Sequence, residues 1–137
     1  MDSLFIDTSG WIEVFGKNEP LHDKATEIFT RALKVRRPIV TTNYIINEYL
    51  GRDGKRCRLS REDLLNVVDY ISHSPIIEVV HIGEKSHSVA LLLLRNRLDK
   101  EWSLVDATSF NLMNERGIQE ALTTDHHFEQ AKFIKLL

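Results

Sequence analysis

Short apolar runs alternate with stretches of helical periodicity along the whole chain. Leu4-Phe5-Ile6 reads as a buried strand, with Asp7 at its C-terminal end. Thr8 or Ser9 is placed to cap a short helix that runs through Phe15, and Lys17 to Pro20 is a loop. Ala25, Ile28, Phe29, Ala32 and Leu33 recur at helical spacing and predict a helix from His22 to about Val35. Pro38 opens a second short strand over Ile39 to Thr41. Thr42 caps the next helix, and Gly51 ends it.

The second half repeats the alternation. Leu64, Val67, Val68 and Ile71 mark an amphipathic helix capped by Ser60, and the β-branched run from Ile76 to Val80 is a third strand. Glu84 to Arg97 predicts a largely buried helix. Ser103 to about Glu115 predicts another, ended by Gly117. Ala121 to Thr124 is a fourth strand, and Lys132 to Lys135 a short fifth. Strands in alternation with helices indicate an α/β domain, with a central parallel sheet of four to five strands and helices on both faces. One domain over residues 1–137 is expected. Ligands of such sheets bind beyond the carboxyl ends of the strands.

Four acidic residues stand where an apolar element ends or turns inward: Asp7, Glu48, Asp106 and Asp125. Asp7 and Asp125 fall at predicted strand ends. Glu48 shares a helix face with Tyr44 and Ile45, and Asp106 shares one with Trp102, Phe110 and Met113. Each has an ordinary explanation taken singly. Asp7 suits a turn or cap, Glu48 an i+4 pair with Arg52, Asp106 a capping box with Ser103, and Asp125 the cap of a turn over His126 to Ala131. None of these explains why four acids gather at one end of the sheet. Buried carboxylates are costly unless paired or bound to a cation, so together they predict an acidic pocket for a hard divalent metal.

Composition narrows the partners. The chain has 137 residues, 42% of them hydrophobic and 28% charged, so a packed core is expected and disorder is not. Its net charge is -2, so any contact with nucleic acid has to come from a local patch, a metal or a partner. The single cysteine, Cys57, rules out a disulfide within one chain and suits a reducing compartment. The run Val89 to Leu94 is too short to span a bilayer, and no leader pattern opens the chain, so a cytoplasmic location without membrane contact is expected.

Asp7-Thr8-Ser9 after the first strand, Thr42-x-x-x-x-x-Glu48 on a helix, Ser103-x-x-Asp106-Ala107 and Thr123-x-Asp125 occur in that order over nearly the whole chain. This ordered set resembles the PIN-domain family, in particular the VapC-type toxins of toxin–antitoxin pairs. The resemblance implies an endoribonuclease that uses Mg2+ or Mn2+ and leaves a 5′-phosphate and a 3′-hydroxyl. It implies that Asp7, Glu48 and Asp106 form the inner metal-binding set. Asp125 would act through water or at a second ion, and Thr8 and Thr123 are possible donors to the carboxylates. It further implies a cognate antitoxin and a homodimer. The competing reading is a non-catalytic PIN-like module that binds metal or a protein partner without cleaving RNA.

Arg52, Lys55, Arg56, Arg58 and Arg61 follow the Glu48 helix and are candidates to guide an RNA backbone, with Arg36 and Arg37 a weaker pair. Asp99 reads as a loop residue. His126 and His127 read as surface residues, because adjacent histidines point in different directions and no third soft ligand is suitably spaced. Trp11 and Trp102 read as core or interface. An aspartic protease, suggested by Phe5 to Gly10, conflicts with the helical periodicity. A receiver-like domain would need an acidic pair at the first strand, which Asp7 lacks.

Overall fold

The computed structural model describes residues 1–53 and 59–137, the side chains of Arg52 and Asp53 excepted. Five parallel strands form one sheet: β1 (Leu4–Ile6), β2 (Ile39–Thr42), β3 (Ile77–Val80), β4 (Glu120–Leu122) and β5 (Ile134–Lys135), in the order β3-β2-β1-β4-β5. The helices are α1 (Thr8–Phe15), α2 (His22–Lys34), α3 (Asn43–Glu48), α4 (Arg61–His73), α5 (Glu84–Asn96), α6 (Leu104–Arg116) and α7 (His127–Gln130). The α/β class, the parallel sheet and the flanking helices agree with the pattern of the sequence.

The centre of the sheet explains the unbroken apolar run at the start. Leu4, Phe5 and Ile6 are fully buried, because β1 has a strand on each side and helices over both faces. Phe5 meets Phe128, which joins Phe110 and Phe133 in one aromatic cluster, and Trp102 packs edge-on against Phe110. Trp11, Phe15, Phe29 and Tyr70 form a second cluster that locks α1, α2 and α4 together.

Several boundaries differ from the sequence pattern for identifiable reasons. Asp7, rather than Thr8 or Ser9, caps α1, its carboxylate accepting the Gly10 N–H. The chain after α3 continues as a wider π-type turn over Tyr49–Asp53, broken by non-helical angles at Gly51. The larger correction is α5. Only Ala90 is buried, while Val89, Leu91 and Leu92 are 45%, 48% and 57% exposed. Successive helix positions turn by about 100°, so a run of four leucines covers most of the circumference and cannot all face one core. Among the described residues, no helix is long and apolar enough to cross a membrane.

Gly10 marks the closest approach of α1 to the sheet. A Cβ there would lie 2.1 Å from the Leu122 carbonyl oxygen and 2.8 Å from Ile6 Cγ2. Backbone cannot yield as a flexible side chain can, so Gly10→Ala is expected to cost about 3 kcal/mol. At Gly51 the same atom would meet nothing within 4 Å among the described residues. Gly51→Ala should therefore cost less than Gly10→Ala, its penalty coming from the backbone angles at that position (φ -79°, ψ -109°) and not from a clash. Urea unfolding of the two variants checks both expectations.

Candidate active site

Strand order sets the place of the site. The chain moves from β1 outward through β2 to β3, then returns to the other side of β1 with β4. The crevice between the carboxyl ends of β1 and β4 is thus the topological switch point, where open α/β sheets bind ligands. Asp7 follows β1 and Asp125 lies just beyond β4. Pairing of Ile6 with Leu122 brings Asp7 and Thr123 alongside each other.

Asp7, Glu48, Asp106 and Asp125 all line one cavity of about 230 Å³ at this crevice, together with Thr8, Ser9, Glu101, Ser103 and His127. The four acids come from the start of α1, the end of α3, the first turn of α6 and the loop after β4. A cavity of about 290 Å³ beside α5 and α6 gathers a single carboxylate, Glu115, among mixed apolar and polar walls.

Each acid is held by specific donors. Asp7 Oδ1 accepts the Ser9 hydroxyl at 2.8 Å and the Gly10 N–H at 3.1 Å, while Oδ2 accepts the Thr123 hydroxyl at 2.9 Å. Thr123 Oγ1 in turn accepts the Asp125 N–H at 2.9 Å, so one threonine links both acids. Glu48 Oε1 accepts the Thr8 hydroxyl at 2.5 Å. Asp106 and Ser103 form a reciprocal capping box, each side chain accepting the other's backbone N–H at 3.0 Å. The capping role expected for Asp106 is therefore present, and it coexists with a place in the pocket.

Burial pushes the Asp7 carboxyl up to about 7, against the lowering effect of the Gly10, Ser9 and Thr123 hydrogen bonds, and the charge of Asp125 adds to the rise. Burial also raises Asp106, opposed by the Ser103 N–H; Asp125 adds to that rise, and His127 works against it. Crowded, desolvated carboxylates of this kind are stabilised by a bound cation. The cavity's carboxylate donors are all oxygen, which suits a hard divalent ion.

Two residues of the cavity escaped sequence reasoning. Glu101 sits next to Trp102 without a periodic signal that would turn it inward. His127 is the instructive one. The expectation of a surface histidine holds for His126, whose side chain is 70% exposed. It fails for His127, which is 20% exposed and places Nδ1 3.0 Å from Asp106 Oδ2. Its neighbour Phe128 is buried in the aromatic cluster, and that anchoring turns His127 toward the pocket.

Other expectations sort by position. Asp99 is exposed and paired with Arg97 and Lys100, outside the cavity. Trp11 and Trp102 are buried, with Trp102 Nε1 donating to Gln130. Arg37 bonds the carbonyls of Asp2 and Ser3 and the Glu120 carboxylate. It therefore ties down the amino-terminal edge of the sheet, away from the acids, and does not suit RNA guidance at this site. Lys55, Arg56, Cys57 and Arg58, with the side chain of Arg52, lie outside the described residues.

The raised Asp7 value gives a pH dependence of stability. The folded state keeps a proton that the unfolded chain loses near pH 4, so metal-free stability falls as pH rises from about 4 to 7. The loss expected from this group is roughly 2–4 kcal/mol. Asp7→Asn should flatten the profile and melt above the parent at pH 8 in EDTA. Thermal melts of both proteins at pH 5 and pH 8 test this.

Comparison with known proteins identifies the family to which the fold belongs. The PIN domain profile matches residues 4–134. The 23S rRNA-specific endonuclease VapC20 of Mycobacterium tuberculosis is 27% identical over 133 residues, covering 97% of each chain, and the proteins of two strains match equally. The crystal structure of Mycobacterium tuberculosis VapC20, described as a Sarcin-Ricin loop cleaving toxin, is similar with a TM-score of 0.81 over 96% of each chain. On a profile that spans nearly its full length, the chain belongs to the PIN domain family.

Proposed function

We propose that this protein is an RNA-cleaving toxin of the VapC type, a Mg2+- or Mn2+-dependent endoribonuclease acting as one domain over residues 1–137. The observation that carries this reading is the convergence of Asp7, Glu48, Asp106 and Asp125 from four separate elements on one cavity. The similarity to VapC20 over 97% of the chain supports RNA as the substrate.

Asp7, Glu48 and Asp106 are the inner set that would hold the cation, and Asp125 acts through water or at a second ion. When bound, the ion activates water and offsets the charge that develops on the phosphate. The chain's own part is to aim the carboxylates. Thr8 holds Glu48, Thr123 and the start of α1 hold Asp7, and the capping box holds Asp106. Such donors fix ligand orientation. The acidic pocket repels an RNA backbone unless cations are present, so metal and substrate binding are coupled.

The reading is tested by incubating purified protein with total RNA and mapping cuts by primer extension across 23S rRNA. Cleavage is expected with Mg2+ or Mn2+ and should vanish in EDTA. Asp7→Asn and Asp106→Asn should each lower the rate on the order of 100-fold or more while the fold is retained. Cutting that survives both substitutions would refute the assignment of the site.

A cognate antitoxin and a second copy of the chain are the partners this reading includes. Val89 and Leu92, one turn apart on α5 and both exposed, support a self-contact through that helix. Sedimentation velocity is expected to show a dimer that Leu92→Glu shifts to monomer without lowering the melting temperature.

A further inference from the structure

We propose that His127 is a positioning residue, one that clamps one oxygen of Asp106 so that the other faces the cation. This rests on the reading that the four acids hold a divalent ion. Asp106 Oδ2 accepts two hydrogen bonds, from the Ser103 N–H at 3.0 Å and from His127 Nδ1 at 3.0 Å. Among the described residues, no donor reaches Oδ1. A carboxylate oxygen accepts about two such bonds, so Oδ2 is saturated and Oδ1 is the atom left for a metal. An ionised carboxylate only accepts, which assigns a proton to Nδ1 in this contact.

The same residue joins two acids from distant parts of the chain. The His127 backbone N–H donates to Asp125 Oδ1 at 2.9 Å, and its ring Nδ1 lies 3.4 Å from that oxygen. The first turn of α6 and the loop after β4 are thereby tied at the point where both present carboxylates. The clamp is built into the fold. Phe128 is 1% exposed and packs against Phe5, Phe110 and Phe133, so the start of α7 cannot rotate without opening the core. A rival role is direct ligation, since Asp125, His126 and His127 place ligand-capable atoms within 4.8 Å of one another.

Side-chain isosteres separate these roles. The amide nitrogen of asparagine stands close to the position of Nδ1, and that of glutamine close to Nε2. Metal-free protein would be titrated with Mn2+ by the electron paramagnetic resonance signal of the free ion, and RNA cleavage followed against metal concentration. His127→Leu and His127→Gln are expected to weaken Mn2+ binding about 10-fold or more. The metal concentration for half-maximal activity should rise equally, with KM for RNA at saturating metal within about twofold. His127→Asn should recover most of the loss, and circular dichroism melts show that each variant is folded. Retention by glutamine but not asparagine would overturn the inference in favour of action through Nε2. Wild-type Mn2+ affinity in all three variants would overturn it as well, while leaving the metal site standing. Failure of the parent protein to bind Mn2+ would instead refute the metal reading beneath it, and the inference with it.

Discussion

The structure is organised around carboxylates that lie in a desolvated crevice at the end of its most buried strand. Asp7 directly continues the fully buried β1, and burial outweighs three hydrogen bonds in setting its proton affinity. A charge in that position needs a counter-charge. Around it the chain supplies further acids and the hydroxyls and N–H groups that orient them. The packed core makes the crevice narrow, and the acids make it a site.

Donors to the acids come mainly from the residues that end strands and begin helices. Asp7 caps α1 and Asp106 completes a capping box on α6, so the same atoms that start helices also shape the pocket. Local helix-starting chemistry and site chemistry are not alternatives here. A cap fixes some lone pairs of a carboxylate and thereby selects the ones that remain. At Asp106 that selection involves a second donor, His127, delivered by a helix whose position depends on a buried phenylalanine.

The outer surface follows different rules. Helix α5 carries four consecutive leucines, yet buries only one residue, an alanine, and leaves apolar side chains exposed. An apolar run identifies what a segment could bury, but not whether a neighbour is present to bury it against. The same limit applies to charge. Arg37 looks like an RNA contact in sequence, but it is engaged with Asp2, Ser3 and Glu120 at the opposite end of the strands.

Local sequence determined the α/β class, the parallel strands, most helix starts and the four acids, because each follows from short-range periodicity, capping chemistry or the cost of placing a carboxylate beside apolar positions. The crevice itself was only half legible. Strand ends pointed to it, but the switch between β1 and β4 required the strand order, which no local pattern contains. Tertiary structure alone decided that His127 turns inward, that Glu101 joins the cavity and that the leucines of α5 stay exposed. Each of these depends on contacts between residues far apart in the chain, such as Phe128 with Phe5. Sequence spacing specifies which face of an element a residue occupies, whereas packing against distant elements decides what that face meets.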